Sequence, residues 1–291
     1  MEASAYCHGA ATIINGIALG KGGAFGVALK TEAKVELTNE PGIFEVEIRG
    51  DEGENTDLAK HCVLEVLKKF ELELEYGARI ITTSDIPISR GLKSSSAASN
   101  AIVLAAFAAL GKEYSDMEVI NMGINASLLA KVTLTGAFDD ACATYFGNVV
   151  VTDNIIREIL NQYPFDEDYE VIIHVPKMKI RKSEVDIQRL KRIRGTLAEA
   201  HDLAMKGDYI SAIRMNGMAY GEAMGLDTEV AKKAIEAGAV TAGISGTGPA
   251  TVILAEVEKR EDIISAIGGR EEVICTKLNK EKAGILNHLI F

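Results

Sequence analysis

Apolar positions along this chain follow one period in its first part and another later. Up to about residue 84, β-branched residues alternate with polar ones in "ATIINGIAL" (11–19), "VALKTEAKVEL" (27–37), "FEVEIRG" (44–50) and "ARIITTS" (78–84). Gly, Asn and Pro separate these runs, a pattern that predicts strands. One segment among them differs: "TDLAKHCVLEVLKKF" (56–70) spaces its apolar residues for one face of a helix, opened by Asn55 or Thr56. From Ser94 the chain predicts a helix ending at Leu110, stopped by Gly111. A second helix starts at Ser115, where Glu118 has capping-box spacing, and runs to about Lys131. "GNVVVTDN" (147–154) predicts another strand.

The polar stretch "NQYPFDEDYE" (161–170), with Pro164, marks a boundary or crossover. Beyond it come a strand "VIIHVP" (171–176), helical patterns over Ser183–Lys206, Asp208–Met224 and Thr228–Ala237, the hairpin-like "AVTAGISGTGPATVILAEV" (239–257), a short helix from Arg260 and a strand "EVICTKL" (272–278). Strand, helices, two strands, helix, strand is the order of an α+β sandwich. With 291 residues, near the size at which one core divides, the chain is expected to form two lobes, 1–160 and 161–291.

Composition narrows the function. Hydrophobic residues make up 47% and charged residues 25%, as in an ordinary globular chain. A formal charge of -11 argues against a general nucleic-acid binder, so any anionic ligand must be held locally. The longest apolar stretch, Ala101–Leu110, is too short to span a bilayer, and the run from Ala10 is broken by Thr12, Asn15 and Gly16, so neither a membrane partner nor export is expected. Cys7, Cys62, Cys142 and Cys275 form no C-x-x-C pair, which suits a reducing cytoplasm. Cys7-His8 and His61-Cys62 are adjacent pairs, and adjacent side chains point apart, so each offers a metal at most one ligand.

The stretch "IPISRGLKSSSAASNA" (86–101) raises the chemical question. Pro87 disfavours helix at Ile86, Gly91 supplies a loop residue without a Cβ, and Ser94, Ser95 and Ser96 then fall in the first helical turn, where backbone N–H groups lack partners. Converging donors and the positive end of the helix dipole bind anions, and Arg90 and Lys93 add charge. The apolar run behind them anchors the helix, so its positive end is rigidly aimed. These features point to a polyphosphate cradle; the alternative is a buried helix capped by one serine. Two familiar phosphate loops do not fit elsewhere. "GIALGKGG" has three residues where a P-loop has four and Gly22 where it has a hydroxyl, and "GKGGAFG" (20–26) lacks the dinucleotide-fold glycine spacing. A lid is plausible around that glycine-rich run.

Three ordered motifs carry a family resemblance. Pro87-Ile88-Ser89-Arg90-Gly91-Leu92-Lys93-Ser94-Ser95-Ser96-Ala97 resembles the nucleotide loop of the GHMP kinases, P-x-x-x-G-L-G-S-S-A-A; "TGAFDDACATYFGN" (135–148) resembles the segment bearing their catalytic aspartate; "GISGTGPATVIL" (243–254) resembles their C-terminal glycine motif. With "GAATIINGIALGKGGAFGVAL" (9–29) the likeness spans nearly the whole chain. The resemblance implies a two-lobed GHMP-kinase fold, with a strand-rich α/β lobe, a ferredoxin-like α+β sandwich and a ligand cleft between them. It also implies ATP and Mg2+ as cofactors. The wording "SRGLKSSSAA" is most similar to archaeal-type shikimate kinases, implying phosphorylation of the 3-hydroxyl of shikimate. Homoserine kinase and a non-catalytic nucleotide sensor are the alternatives.

Carried over by residue, the resemblance implies that Ser94 and Ser95 meet the phosphates, with Ser95 on the metal. Lys93 stands where the family has a glycine and is expected to face the phosphates or solvent. Asp139 matches the catalytic base, with Asp140 beside it in the site; without the family match, two acids at a helix start would simply complement its dipole. Gly246, Thr247 and Gly248, with Gly243, would let a backbone turn approach the nucleotide, or form a plain hairpin turn. Asn15, Lys21 and Arg181 are candidate substrate contacts, a guanidinium suiting a carboxylate. Relatives place a metal-binding glutamate before the aspartate. Here no acidic residue lies between Glu118 and Asp139, and Leu128 and Leu129 occupy the region, so magnesium relies on Ser95, ATP oxygens and water, or one of the aspartates helps.

Overall fold

A computed structural model describes residues 1–50, 53, 55–133, 135–180, 185–268 and 272–286. The first part holds β1 (Glu2–Ile14), α1 (Gly16–Leu19), β2 (Lys21–Thr38), β3 (Phe44–Arg49), α2 (Asp57–Lys69), β4 (Gly77–Ser84), α3 (Ser94–Leu110), α4 (Asp116–Leu129), α5 (Phe138–Phe146), β5 (Val149–Asp153) and β6 (Glu158–Tyr163). The second holds β7 (Glu170–Val175), α6 (Ile187–Arg192), α7 (Arg194–Met205), α8 (Tyr209–Met224), α9 (Glu229–Glu236), β8 (Thr241–Ile244), β9 (Thr251–Ala255), α10 (Arg260–Ile267), β10 (Glu272–Lys277) and β11 (Gly284–Leu286).

Seven strands form the first sheet in the order β11-β1-β2-β4-β3, with β5 also on β2 and β6 on β5. Strand β2 serves two partners: Lys21–Phe25 pair with β5, and Thr31–Thr38 pair with β4. Helix α3 packs on β1 and β2 with α2, α4 and α5 around it. Being apolar nearly all round, it is buried from Ala101 through Phe107, as a helix surrounded by protein must be.

The second sheet runs β10-β7-β9-β8, all antiparallel, in the ferredoxin-like order expected. Strands β7, β8 and β9 are buried on both faces, which is why they read as continuous apolar runs, whereas the edge strand β10 keeps exposed positions. Val171, Ile173, Val252 and Leu254 face the main core, whereas Ile172 and Ile253 face a second cluster with Ala231, Ala234 and Ile263. Helices α7 and α8 touch β1 as well as each other, and α8 also lies on β8, so the main core runs on through them from the first sheet.

Local signals fixed many element ends. The Ser115–Glu118 capping box is present in both directions, and Gly111 ends α3 in the left-handed conformation. Four readings need correction. "ATIINGIAL" does not stay extended: Asn15 accepts from Ile17 N at 3.1 Å and turns the chain into α1. The helix expected over Ser183–Lys206 is divided at Ile193, with Asp186 capping α6. The boundary stretch from Asn161 begins inside a strand, since β6 runs from Glu158 to Tyr163, and β11 returns to β1 in the first sheet. "GKGGAFG" is no lid, because from Lys21 onwards it lies in β2 with β1 and β5 paired on either side.

Candidate active site

A cavity of about 740 Å³ opens where the start of α3, the start of α5, the end of β1 and the β8–β9 turn meet. The β4–α3 loop brings Ile88, Ser89, Gly91, Lys93, Ser94 and Ser95 to it, and the α4–α5 region brings Asp139 and Asp140. Gly246, Thr247 and Asn15 line it too.

Two helices enter the cavity through left-handed residues. Lys93 stands before α3 with φ 65° and no side chain caps that turn; Ala137 stands before α5 with φ 48°, again without a side-chain cap. Asn100, buried midway along α3, donates from Nδ2 to Ala141 O at 2.9 Å and Thr144 Oγ1 at 3.1 Å, fixing one helix against the other. The open first turn of α3 thus presents N–H groups and serine hydroxyls to the cavity.

Close backbone approach explains Gly91. It has φ +87°, and a Cβ there would lie 2.0 Å from Ser245 O. Ser245 Oγ donates to Gly91 O at 2.8 Å and accepts from Thr12 N at 3.0 Å. Gly246 N in turn donates to Thr12 Oγ1 at 2.8 Å, and Ala250 N donates to Arg90 O at 3.2 Å. The serine loop and the C-terminal glycine turn are therefore laced together over β1.

Lys93 does not face solvent. Its Nζ lies 2.8 Å from Asp140 Oδ1 and donates to Thr12 Oγ1 at 2.6 Å, with the lysine and aspartate side chains 6% and 7% exposed. Adopting the left-handed backbone lets a lysine replace the glycine and turn its charge into the site.

Asp139 lies beside this pair. Its Oδ1 accepts from Asn154 Nδ2 at 2.8 Å, and its backbone N–H donates to Asn154 Oδ1 at 3.1 Å. Burial, then repulsion from Asp140, pushes its carboxyl up to about 6, against the opposing pull of Lys93 and the Asn154 hydrogen bond. A carboxylate held near the point of ionisation is suited to taking a proton.

The donors fit a polyanion. They also fit a metal that arrives with phosphate better than a resident one. Among the described residues no group of three or more His, Cys, Asp or Glu side chains could hold a metal ion, and Leu129 lines the cavity in the stretch where the family resemblance implies an acidic ligand. Ser95 remains as a protein hydroxyl for an ion coordinated mainly by phosphate oxygens and water.

Several expected contacts lie elsewhere. Lys21 is exposed on β2 and does not line the cavity; it faces away because the neighbouring Gly22 faces Asp139. Pro87 and Arg90 line a separate cleft, where Arg90 Nη2 donates to Lys177 O at 2.8 Å. Leu92, Ser96 and Ala97 are buried, and Gly248 packs towards Leu226 and Ile244. Asn15 reaches the cavity with its amide engaged, Oδ1 capping α1 and Nδ2 donating to Gly246 O at 3.0 Å. Arg181 lies outside the described residues.

Sequence reasoning missed Thr12 and Asn154, and also Asn55 and Asp57, which line the cavity from the start of α2. The signal for Thr12 was a polar residue interrupting an apolar strand.

Residues 57–148 match the model of the GHMP kinases N terminal domain. The chain belongs to the GHMP kinase family. A Methanosarcina acetivorans protein named shikimate kinase is 42% identical over 97% of this chain and 96% of its own length. Another from Methanothrix thermoacetophila is 41% identical, covering 93% and 92% respectively. Among solved structures, homoserine kinase from Cytophaga hutchinsonii superposes with a TM-score of 0.75 at 19% identity, covering 98% of this chain and 97% of that one, a likeness of fold. Among the described residues no helix is long and apolar enough to cross a membrane.

Proposed function

We propose that this chain is a shikimate kinase, transferring the γ-phosphoryl group of ATP to the 3-hydroxyl of shikimate. The observation that carries the reaction class is the meeting of an uncapped, serine-bearing helix start with a buried carboxylate in one cavity. The choice of acceptor rests on the near-full-length relatives of that name.

When bound, ATP with Mg2+ supplies the phosphoryl group and spreads its charge. The first-turn N–H groups of α3 and the hydroxyls of Ser94 and Ser95 take the phosphates, Ser95 facing the metal. Gly246 and Thr247 close the turn over them. Lys93, held by Asp140 and Thr12, sets a positive charge beside the transferred group, so Asp140 acts through Lys93 and Asp139 is the base. Asp139 takes the proton of the acceptor hydroxyl as the new oxygen–phosphorus bond forms, the bond to the bridging oxygen breaks, and ADP leaves; such proton transfer is worth about 10²- to 10⁴-fold in rate.

ADP release with Mg-ATP, run in parallel with shikimate, homoserine, galactose and mevalonate, tests the reading. Signal with shikimate alone is expected. Signal with homoserine alone would overturn the acceptor and keep the reaction class, and silence with all four would favour the nucleotide-sensor alternative.

A further inference from the structure

One oxygen of Asp139 is held by a residue that belongs to none of the glycine, serine or aspartate motifs. Asn154, just beyond β5 and beyond the 57–148 family match, donates to Asp139 Oδ1 and accepts the Asp139 backbone N–H. The amide is oriented. Its Oδ1 also accepts from Thr152 Oγ1 at 2.7 Å, and a flipped amide would set its NH2 against the Asp139 N–H, a donor that cannot reverse. Its backbone N–H donates to Gly20 O at 2.8 Å.

Two glycines shape the seat of this pair. A Cβ on Gly16 would lie 2.4 Å from Asn154 Nδ2, and one on Gly22 would lie 2.2 Å from Asp139 Oδ2. Amide and carboxylate thus fill volumes that a larger residue at either position would occupy. This accounts for Gly22 in a run that only superficially resembles a phosphate loop.

We propose that Asn154 is a positioning residue for the base. Resting on the assignment of Asp139 to proton abstraction, the inference is that Asn154 engages Oδ1 and leaves Oδ2 to receive the proton of the acceptor hydroxyl. A hydrogen bond to the charged carboxylate also favours ionisation in a buried site. The other groups facing Asp139 are Asp140 beside it on α5, which opposes its charge, and Lys93 from the β4–α3 loop, which favours it. The Cys142 thiol further along α5 stays protonated, and Gly16 and Gly22 lie on the β1–β2 side.

The test is kcat, KM and the pH profile of Asn154→Asp, with Asp139→Asn measured beside it. Asn154→Asp keeps the shape and the acceptor for Asp139 N–H and Thr152, and replaces the donor to the carboxylate with an oxygen. Expected are a loss of about 10²-fold in kcat near neutrality, KM for ATP and acceptor within about threefold, and an acidic limb moved up by about one pH unit or more. A kcat near wild type with an unmoved limb, while Asp139→Asn has lost turnover, would overturn the positioning role and leave the base standing. Asp139→Asn turning over at the wild-type rate would overturn the base and this inference with it. Should Asn154→Asp not fold, Thr152→Val removes the hydroxyl that orients the amide; a fall in kcat of about threefold or more at constant KM is expected, and an unchanged kcat contradicts the inference.

Discussion

Helices α3 and α5 begin alike and are completed differently. Both start after a left-handed residue with no side-chain cap, whereas α4 between them closes its first turn with a capping box. At α3 the turn carries three serines and no acid; at α5 it carries Asp139 and Asp140. One helix end is left open for an anion, and the other is filled by the chain's own carboxylates. In the proposed function the contrast divides the labour, with α3 assigned to phosphate and α5 to the proton.

The largest effect should come from Asp139→Asn, with turnover down by about 10²- to 10⁴-fold. Wild-type turnover should rise as pH climbs through about 6, because the base works ionised and its folded pKa is raised to that value. The stability sign is opposite to that of a paired carboxylate. The folded state binds this proton more tightly than the unfolded chain, so the contribution of Asp139 is favourable below its ordinary 3.8 and is lost as pH rises through about 6. Asp139→Asn, which keeps an acceptor for Asn154, should therefore be more stable at neutral pH, by roughly 1–3 kcal/mol, as thermal unfolding would read.

Next is Lys93→Met, which leaves the Asp140 charge buried without its lysine. A stability loss of about 3–5 kcal/mol is expected, with turnover down about 10²-fold. Adding Asp140→Asn should recover most of the stability and little of the turnover; recovery of both would show that the pair is structural alone.

Gly91→Ala puts a Cβ against Ser245 O and a side chain at positive φ. It should weaken nucleotide binding about tenfold and cost about 1–3 kcal/mol for the backbone conformation alone, measured by titration and melting. Lys21→Ala, at an exposed position outside the cavity, should change KM for either substrate by less than about twofold.

The two helix starts also differ in how far sequence revealed them. The signals that mark the start of α3 are local, since Pro87, Gly91, the serines and the apolar run lie within one stretch, although Ser245 and Thr12 hold the loop from elsewhere. The fold likewise followed local periods, and Gly111 and the Ser115–Glu118 pair marked helix ends. The setting of α5 depends on distant residues. Asp139 is held by Asn154 from beyond β5, and Asp140 by Lys93 from before α3. Lys21, expected as a substrate contact, lies outside the cavity because strand alternation gives Gly22 to Asp139 and turns Lys21 outwards. Asn15, read as a substrate contact, has its side chain engaged in capping α1 and in bonding Gly246. Such roles arise from register and packing, which no single stretch encodes.

The division of labour is tested most directly by measuring Mg-ATP affinity and turnover together on Asp139→Asn and Ser95→Ala. The account predicts that Asp139→Asn binds Mg-ATP within about twofold of wild type while its turnover collapses, and that Ser95→Ala needs more magnesium and binds Mg-ATP more weakly. Loss of Mg-ATP affinity in Asp139→Asn in proportion to its turnover, with Ser95→Ala unchanged in both, would contradict it.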